Sequence, residues 1–244
     1  MYDYKKSRST VEEILTSATK IEEKDRIPAS DSEFTYKNGI KTWVGALFVD
    51  IVNSSDLCKT ANEDTARIFR AFCSEVIGIL KEDSNYREIG IRGDCVYCIY
   101  TSQYVVDLVD IFRHAYRINT FMKMFNILLK KNRYPKINAG IGLGCDKELI
   151  IKAGQSGSGI NDKIWIGKAV VDACHLGNIA NRKGILPIAL SPSFYYEIKK
   201  DLENENIGYK NWIMEHRSNG YAVDFYHCNI VETEFNDWIE EGML

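Results

Sequence analysis

The sequence predicts an α+β protein of ferredoxin-like type, an antiparallel-rich sheet with helices packed on it. Three observations carry that expectation. The apolar run "WVGALFVDI", from Trp43, has the length and branched composition of a buried strand. In "NEDTARIFRAFCSEVIGILK" the residues Ile68, Phe69, Phe72, Cys73, Val76, Ile79 and Leu80 recur on one face of a helix. Then "YREIGIRGDCVYCIY" reads as two short strands meeting at a tight Arg92-Gly93-Asp94 turn, since glycine accepts the backbone angles such a turn needs. Strand, helix, hairpin, helix and further strand is the order of a ferredoxin-like sandwich.

Taken along the chain, residues 1–42 read as an N-terminal helix and strap. "STVEEIL" has the spacing of a capping box, Ser9 or Thr10 with Glu12 and Glu13, and "RIPASDSEFTYKNG" reads as loop and turn. The main domain is expected over 43–230, with 231–244 as an acidic, aromatic tail. A long helix is expected from about Ser102 to Lys131, ended by Pro135. "PKINAGIGLG" is a glycine-spaced strand, and "ELIIKAGQSGSGINDKIWIG" suggests another hairpin with a Gly/Ser tip. Gly167 opens the helix "KAVVDACHLGNIANR", and Gly184 is placed as its C-terminal cap.

Composition narrows the function classes. At 244 residues, 45% hydrophobic and 27% charged, the chain has the make-up of an ordinary soluble globular protein. A net charge of −3 with mixed signs gives no footprint for nucleic acid, and the basic "KKNRYPK" reads as a solvated helix end. No apolar run approaches the roughly 20 residues of a membrane span, and the N-terminus lacks a signal peptide's apolar core. A cytoplasmic protein is expected. The seven cysteines are scattered singly, as free thiols in a reducing compartment would be. Cys95 and Cys98, three apart on a strand, point to opposite faces and form no redox or zinc motif.

The chemistry centres on Asp50, which ends the first strand. An isolated buried charge is costly, so this carboxylate needs a cation or a proton. In the expected fold the first strand and the hairpin lie side by side, bringing Asp50 near Asp94. Two adjacent carboxylates push each other toward protonation unless a cation lies between them, and the hard ions Mg2+ and Mn2+ prefer oxygen. A site for two such ions follows, with the Ile51 carbonyl free as a further ligand. Asn53-Ser54-Ser55 form a polar turn into a helix, where backbone N–H groups and hydroxyls suit a phosphate chain. Singly each feature has a plainer reading, as helix cap or ordinary turn; together they favour metal and triphosphate.

At these residues the sequence resembles the class III nucleotidyl cyclases. "LFVDIVNSSDL" is similar to that family's first metal motif and "GIRGDCVY" to its second. "INAGIGLG" is similar to its glycine-bearing strand, and "IWIGKAVVDACHL" to its strand-Gly-helix segment. The resemblance implies the cyclase catalytic fold, Asp50 and Asp94 each holding two metal ions per active site, and Ile51 holding one through its carbonyl. It implies that the 3′-hydroxyl of a nucleoside triphosphate attacks its own α-phosphorus. It also implies a homodimer with active sites at the interface.

The departures point further. Where purine cyclases carry a base-reading Lys or Glu this chain has Gly90, and where they carry Asp or Cys it has Ile164. The family's Asn and Arg on the later helix fall on Val171 and His175. A protonated His175 is the expected charge for the α-phosphate, with Lys168 or Asp172 taking ribose or phosphate contacts, and Asn178 and Arg182 one turn too late. With its purine determinants missing, the chain looks like the pyrimidine cyclases of bacterial antiphage defence, the Pycsar type. Those make cyclic UMP or cyclic CMP, which activates a separate effector. UTP is the expected substrate and CTP the next. The alternatives are a purine cyclase with atypical base readout and a nucleotide-binding pseudocyclase.

Overall fold

The computed structural model describes residues 2–205, 211–218 and 222–244. The chain opens with helix α1 (Tyr4–Thr16). Asp3 caps it, accepting from the Lys5 and Lys6 amides at 3.1 Å. The expected start at Ser9 or Thr10 is therefore corrected: both hydroxyls turn back on the Lys5 and Lys6 carbonyls inside the helix. A Ser or Thr one turn in has that carbonyl within reach, so capping-box spacing alone does not mark an end. No residue of α1 is buried.

Strand β1 (Lys20–Glu23) runs parallel to the beginning of β2 (Asn38–Ile51). β2 starts at Asn38, so the boundary expected between 42 and 43 falls inside a strand. The strap contributes Ile27 and Phe34 to the interior. After the short helix α2 (Ser54–Cys58) come α3 (Glu63–Leu80), the hairpin β3 (Tyr86–Arg92) and β4 (Cys95–Thr101), α4 (Val105–Lys131) and β5 (Ala139–Gly154). These strands lie in the spatial order β3-β4-β2-β5, the ferredoxin-like arrangement.

β5 is one strand of 16 residues rather than two pieces, because it pairs with β2 without a break from Gly39↔Ile151 to Ile51↔Ala139. β6 (Asn161–Ile166) folds back on its outer part. Then α5 (Ala169–Ile179), β7 (Ile188–Leu190), α6 (Pro192–Glu205), β8 (Ile213–His216) and β9 (Phe225–Cys228) extend the sheet, and α7 (Thr233–Glu240) follows. In the last segment Glu232 pairs with Arg117, and Asn236 accepts from Lys123, both on α4. Among the described residues no helix is long and apolar enough to cross a membrane.

The two faces of β2 are unlike. Leu47, Val49 and Ile51 enter the main core with the apolar sides of α3 and α4, while Val44, Ala46 and Phe48 face the other way, among Ala169 and Ala173 of α5. Against β5 this helix lies on bare backbone. A Cβ on Gly142 would come within 2.0 Å of the Ala173 oxygen, and one on Gly144 within 2.2 Å of the Ala169 oxygen. The alternating glycines of "INAGIGLG" share this face, and so close an approach admits no side chain. Cys95 and Cys98 fall into the two separate clusters, and the cysteines are free.

Helix α5 stops at Ile179, not at Gly184. Asn181, Lys183 and Gly184 take positive φ, so the chain leaves the helical path. The Asn181 side-chain amide donates to the Ala139 carbonyl at 2.9 Å, fixing the loop against β5.

Candidate active site

Asp50 continues the series Val44, Ala46, Phe48 on the α5 face of β2, since strand side chains alternate. Its register partner is Cys95, the residue after Asp94, so pairing of β2 with β4 sets the two carboxylates side by side where the hairpin turns. Gly93 adopts φ 61° there, as a two-residue turn between antiparallel strands requires. Burial, and next the charge of Asp94, push the Asp50 carboxyl above its ordinary range, while Arg182 pulls it back. Burial, with the Asp50 charge second, pushes the neighbouring Cys95 thiol up to about 12, leaving it uncharged at neutral pH.

Arg182, expected from the sequence to fall one turn too late, reaches the Asp50 carboxylate. Its Nη2 donates to Asp50 Oδ2 at 2.6 Å and to the Ile51 carbonyl at 3.3 Å. Its Nη1 donates to the carbonyls of Gly177 and Ala180, at 3.2 and 3.0 Å. Had α5 continued as a helix, Arg182 would lie a turn beyond the site; because the helix ends early, the loop returns it across 132 residues of sequence. The signal in the sequence was the demand of Asp50 for a cation, which says nothing about where the cation comes from.

The donors available to an ion are Asp50, Asp94 and the Ile51 carbonyl, all oxygen, which suits a hard divalent cation. A guanidinium already stands as the cation on Asp50 and Ile51. Among the described residues no three His, Cys, Asp or Glu side chains gather as a metal nest. Next to Asp50, Asn53 takes φ 56° at the start of α2 and its side chain makes no cap bond. Ser54 is half-buried and Ser55 exposed.

The position expected to read the base is packed shut. A Cβ on Gly90 would meet the Tyr97 ring at 2.5 Å, the two residues being cross-strand partners. That ring stacks on Phe48, with centroids 5.3 Å apart. The Tyr97 hydroxyl donates to Glu88 at 2.8 Å, and Lys163 of β6 approaches the other Glu88 oxygen at 3.4 Å. Burial first, then the Glu88 carboxylate, hold the Tyr97 hydroxyl at about 12, so it remains a donor. Ile164 is not part of this group: it pairs with Ile151, on the face opposite Trp165, and is 47% exposed.

On α5 the expected residues separate. The Lys168 amide donates to Asp146 at 3.1 Å at the head of the helix. Asp172 and exposed His175 line a cavity of about 340 Å³ with Ser191, His216 and Asp224, apart from the carboxylate pair. Burial raises the Asp172 carboxyl, with Lys168 opposing. Cys174, one residue before His175, is the α5 thiol near enough to Asp50 to feel its charge. Within one chain His175 and Asp50 therefore serve different surfaces.

The fold is that of the class III nucleotidyl cyclase catalytic domains. The adenylyl cyclase CyaB of P. aeruginosa superposes with a TM-score of 0.59 at 18% identity, covering 78% of this chain and 95% of that one. A guanylate cyclase domain from Catenaria anguillulae, in complex with GTP, gives a TM-score of 0.57 at 18% identity, covering 78% and 97%. No family model matches the sequence. The chain belongs to the uridylate cyclase family. It is 40% identical over 245 residues to a uridylate cyclase of Treponema porcinum, covering 100% of this chain and 82% of that protein. It is 30% identical over 252 residues to one of Gulbenkiania mobilis, covering 99% and 97%.

Proposed function

We propose that this protein converts UTP to 3′,5′-cyclic UMP and pyrophosphate, with CTP the next substrate in preference. The observation that carries the reading is the pairing of Asp50 and Asp94 beside the Ile51 carbonyl, on a face where the neighbouring cross-strand position, Gly90, holds no purine-reading side chain. Identity of 40% over the whole of this chain to a protein named uridylate cyclase supports the choice of base. The aspartates and the Ile51 carbonyl would hold two Mg2+ or Mn2+ ions, which when bound screen the triphosphate and acidify the attacking 3′-hydroxyl. The protein's own task is positioning. Asn53, Ser54 and Ser55 receive phosphate oxygens at the turn after β2. Gly90, under the Tyr97 ring, bounds the base. Lys168, Asp172 and His175 act on the substrate of a partner chain, a homodimer being the arrangement in which both halves of a site meet.

The cyclic nucleotide then serves as a second messenger for a separate effector in antiphage defence. Incubation of the full chain with ATP, GTP, CTP and UTP in turn, with Mn2+, tests the chemistry. Cyclic UMP as the main product is the expected outcome; predominant cyclic AMP or GMP, or no product from any of the four, overturns it. Size-exclusion chromatography with light scattering tests the dimer.

A further inference from the structure

Arg182 does two things at once. One nitrogen ties down the end of α5 through the Gly177 and Ala180 carbonyls, and the other takes Asp50 and Ile51, two of the three groups a divalent cation would need. The ion pair is well sheltered, with side-chain exposures of 23% for Arg182 and 14% for Asp50. The strand beneath leaves room for it: a Cβ at Gly140 would stand 3.0 Å from Arg182 Nη1. A guanidinium is a planar, permanently charged fork, so it can keep one pair of bonds while releasing the other.

We propose that Arg182 is a built-in competitor for the metal site, a positioning residue that holds Asp50 and the Ile51 carbonyl in place in the metal-free protein and yields them when a divalent cation binds. The inference rests on the two-aspartate metal reading above. Asp50 Oδ2 and the Ile51 carbonyl point their lone pairs at Nη2, and an ion coordinated by those same atoms would bring like charge against the guanidinium. Both cannot hold the pair together. The Nη1 bonds to Gly177 and Ala180 involve no metal ligand, so they anchor the side chain while Nη2 gives way. Metal affinity is thereby set partly by a residue that is not a ligand, and Nη2 is freed at the moment a triphosphate needs a donor.

The test is direct titration of the full chain with Mn2+ alone, free ion being followed by electron paramagnetic resonance. Arg182→Met should bind Mn2+ about tenfold more tightly than the unaltered protein, as loss of one competing contact of ordinary strength predicts. Its melting temperature without metal should be lower, and Mn2+ should restore more of it than in the unaltered protein. Mn2+ binding that depends on Asp50 but is unchanged or weaker in Arg182→Met overturns the competition and makes Arg182 a simple structural tie. Binding that is absent, or indifferent to Asp50→Asn and Asp94→Asn, overturns the metal reading itself. Should Arg182→Met not fold, crystals of the unaltered protein soaked with Mn2+ decide. Nη2 should leave Asp50 while Nη1 keeps the Gly177 and Ala180 carbonyls; an Arg182–Asp50 bond that persists beside a bound Mn2+ overturns the proposal.

Discussion

Two neighbouring parts of the α5 face, one at Asp50 and one at Tyr97, treat charge in opposite ways. Where the carboxylates meet, Arg182 pairs with Asp50 while the charge of Asp94 stands beside it, so negative charge is left over and burial makes it more costly. Around Tyr97, Glu88 is met by both the Tyr97 hydroxyl and Lys163, and the Tyr97 ring fills the space over Gly90. One part is short of a cation and the other is closed by shape. That division suits the roles proposed for the two, since a metal is drawn by unbalanced charge and a base is sorted by fit.

Removing the charge deficit should have the largest effect. Asp94→Asn and Asp50→Asn are each expected to lower cyclase turnover by about 10²–10³-fold, measured as cyclic nucleotide formed per minute, because stabilisation of the reacting phosphate is lost. Unchanged turnover in either would separate that aspartate from the chemistry. Opening the closed part comes next. Tyr97→Leu should raise consumption of ATP or GTP relative to UTP by roughly tenfold, the usual worth of a fit-based contact. Gly90→Lys alone should gain no purine activity, because its side chain would run into the Tyr97 ring.

Gly142→Ala acts on the support shared by both parts. The added methyl would press on the Ala173 carbonyl, and a loss of about 1–3 kcal/mol in urea unfolding is expected. A pH effect follows from Asp50. Its carboxyl lies above the ordinary 3.8 in the folded protein, so the stability linked to it is greatest when the group is protonated and is lost as pH rises from about 3.8 through the raised value. Mn2+ should accordingly raise the melting temperature more at about pH 7.5 than near pH 5, in a thermal scan at fixed ion concentration. The smallest effect belongs to α1, which buries nothing: deleting residues 2–17 should shift monomer stability by less than about 0.5 kcal/mol.

Strand β2, its carboxylate and the hairpin that meets it were legible in the sequence because they depend on local signals, alternation and a glycine turn. The three alternating glycines at the start of β5 were visible too, although what they make room for was not. What escaped was set by distant parts of the chain. Nothing near Arg182 says that α5 stops at Ile179, and a loop side chain has no period to read. Gly90 was noticed as a missing determinant, yet its partner across the ladder, Tyr97, drew no notice because a tyrosine in a strand is ordinary. Ser9 and Thr10 misled through a spacing that helix interiors share with helix starts.

The Asp50–Arg182 pair joins residues 132 apart, and β2 with β5 spans most of that distance. Such contacts form late, since a long loop must close before they are rewarded. Removing the pair in Arg182→Met should then leave the refolding rate of the metal-free chain almost untouched and act on unfolding, speeding it. In a stopped-flow chevron only the unfolding arm would move, and the guanidinium would govern how long the native molecule lasts rather than how fast it is made.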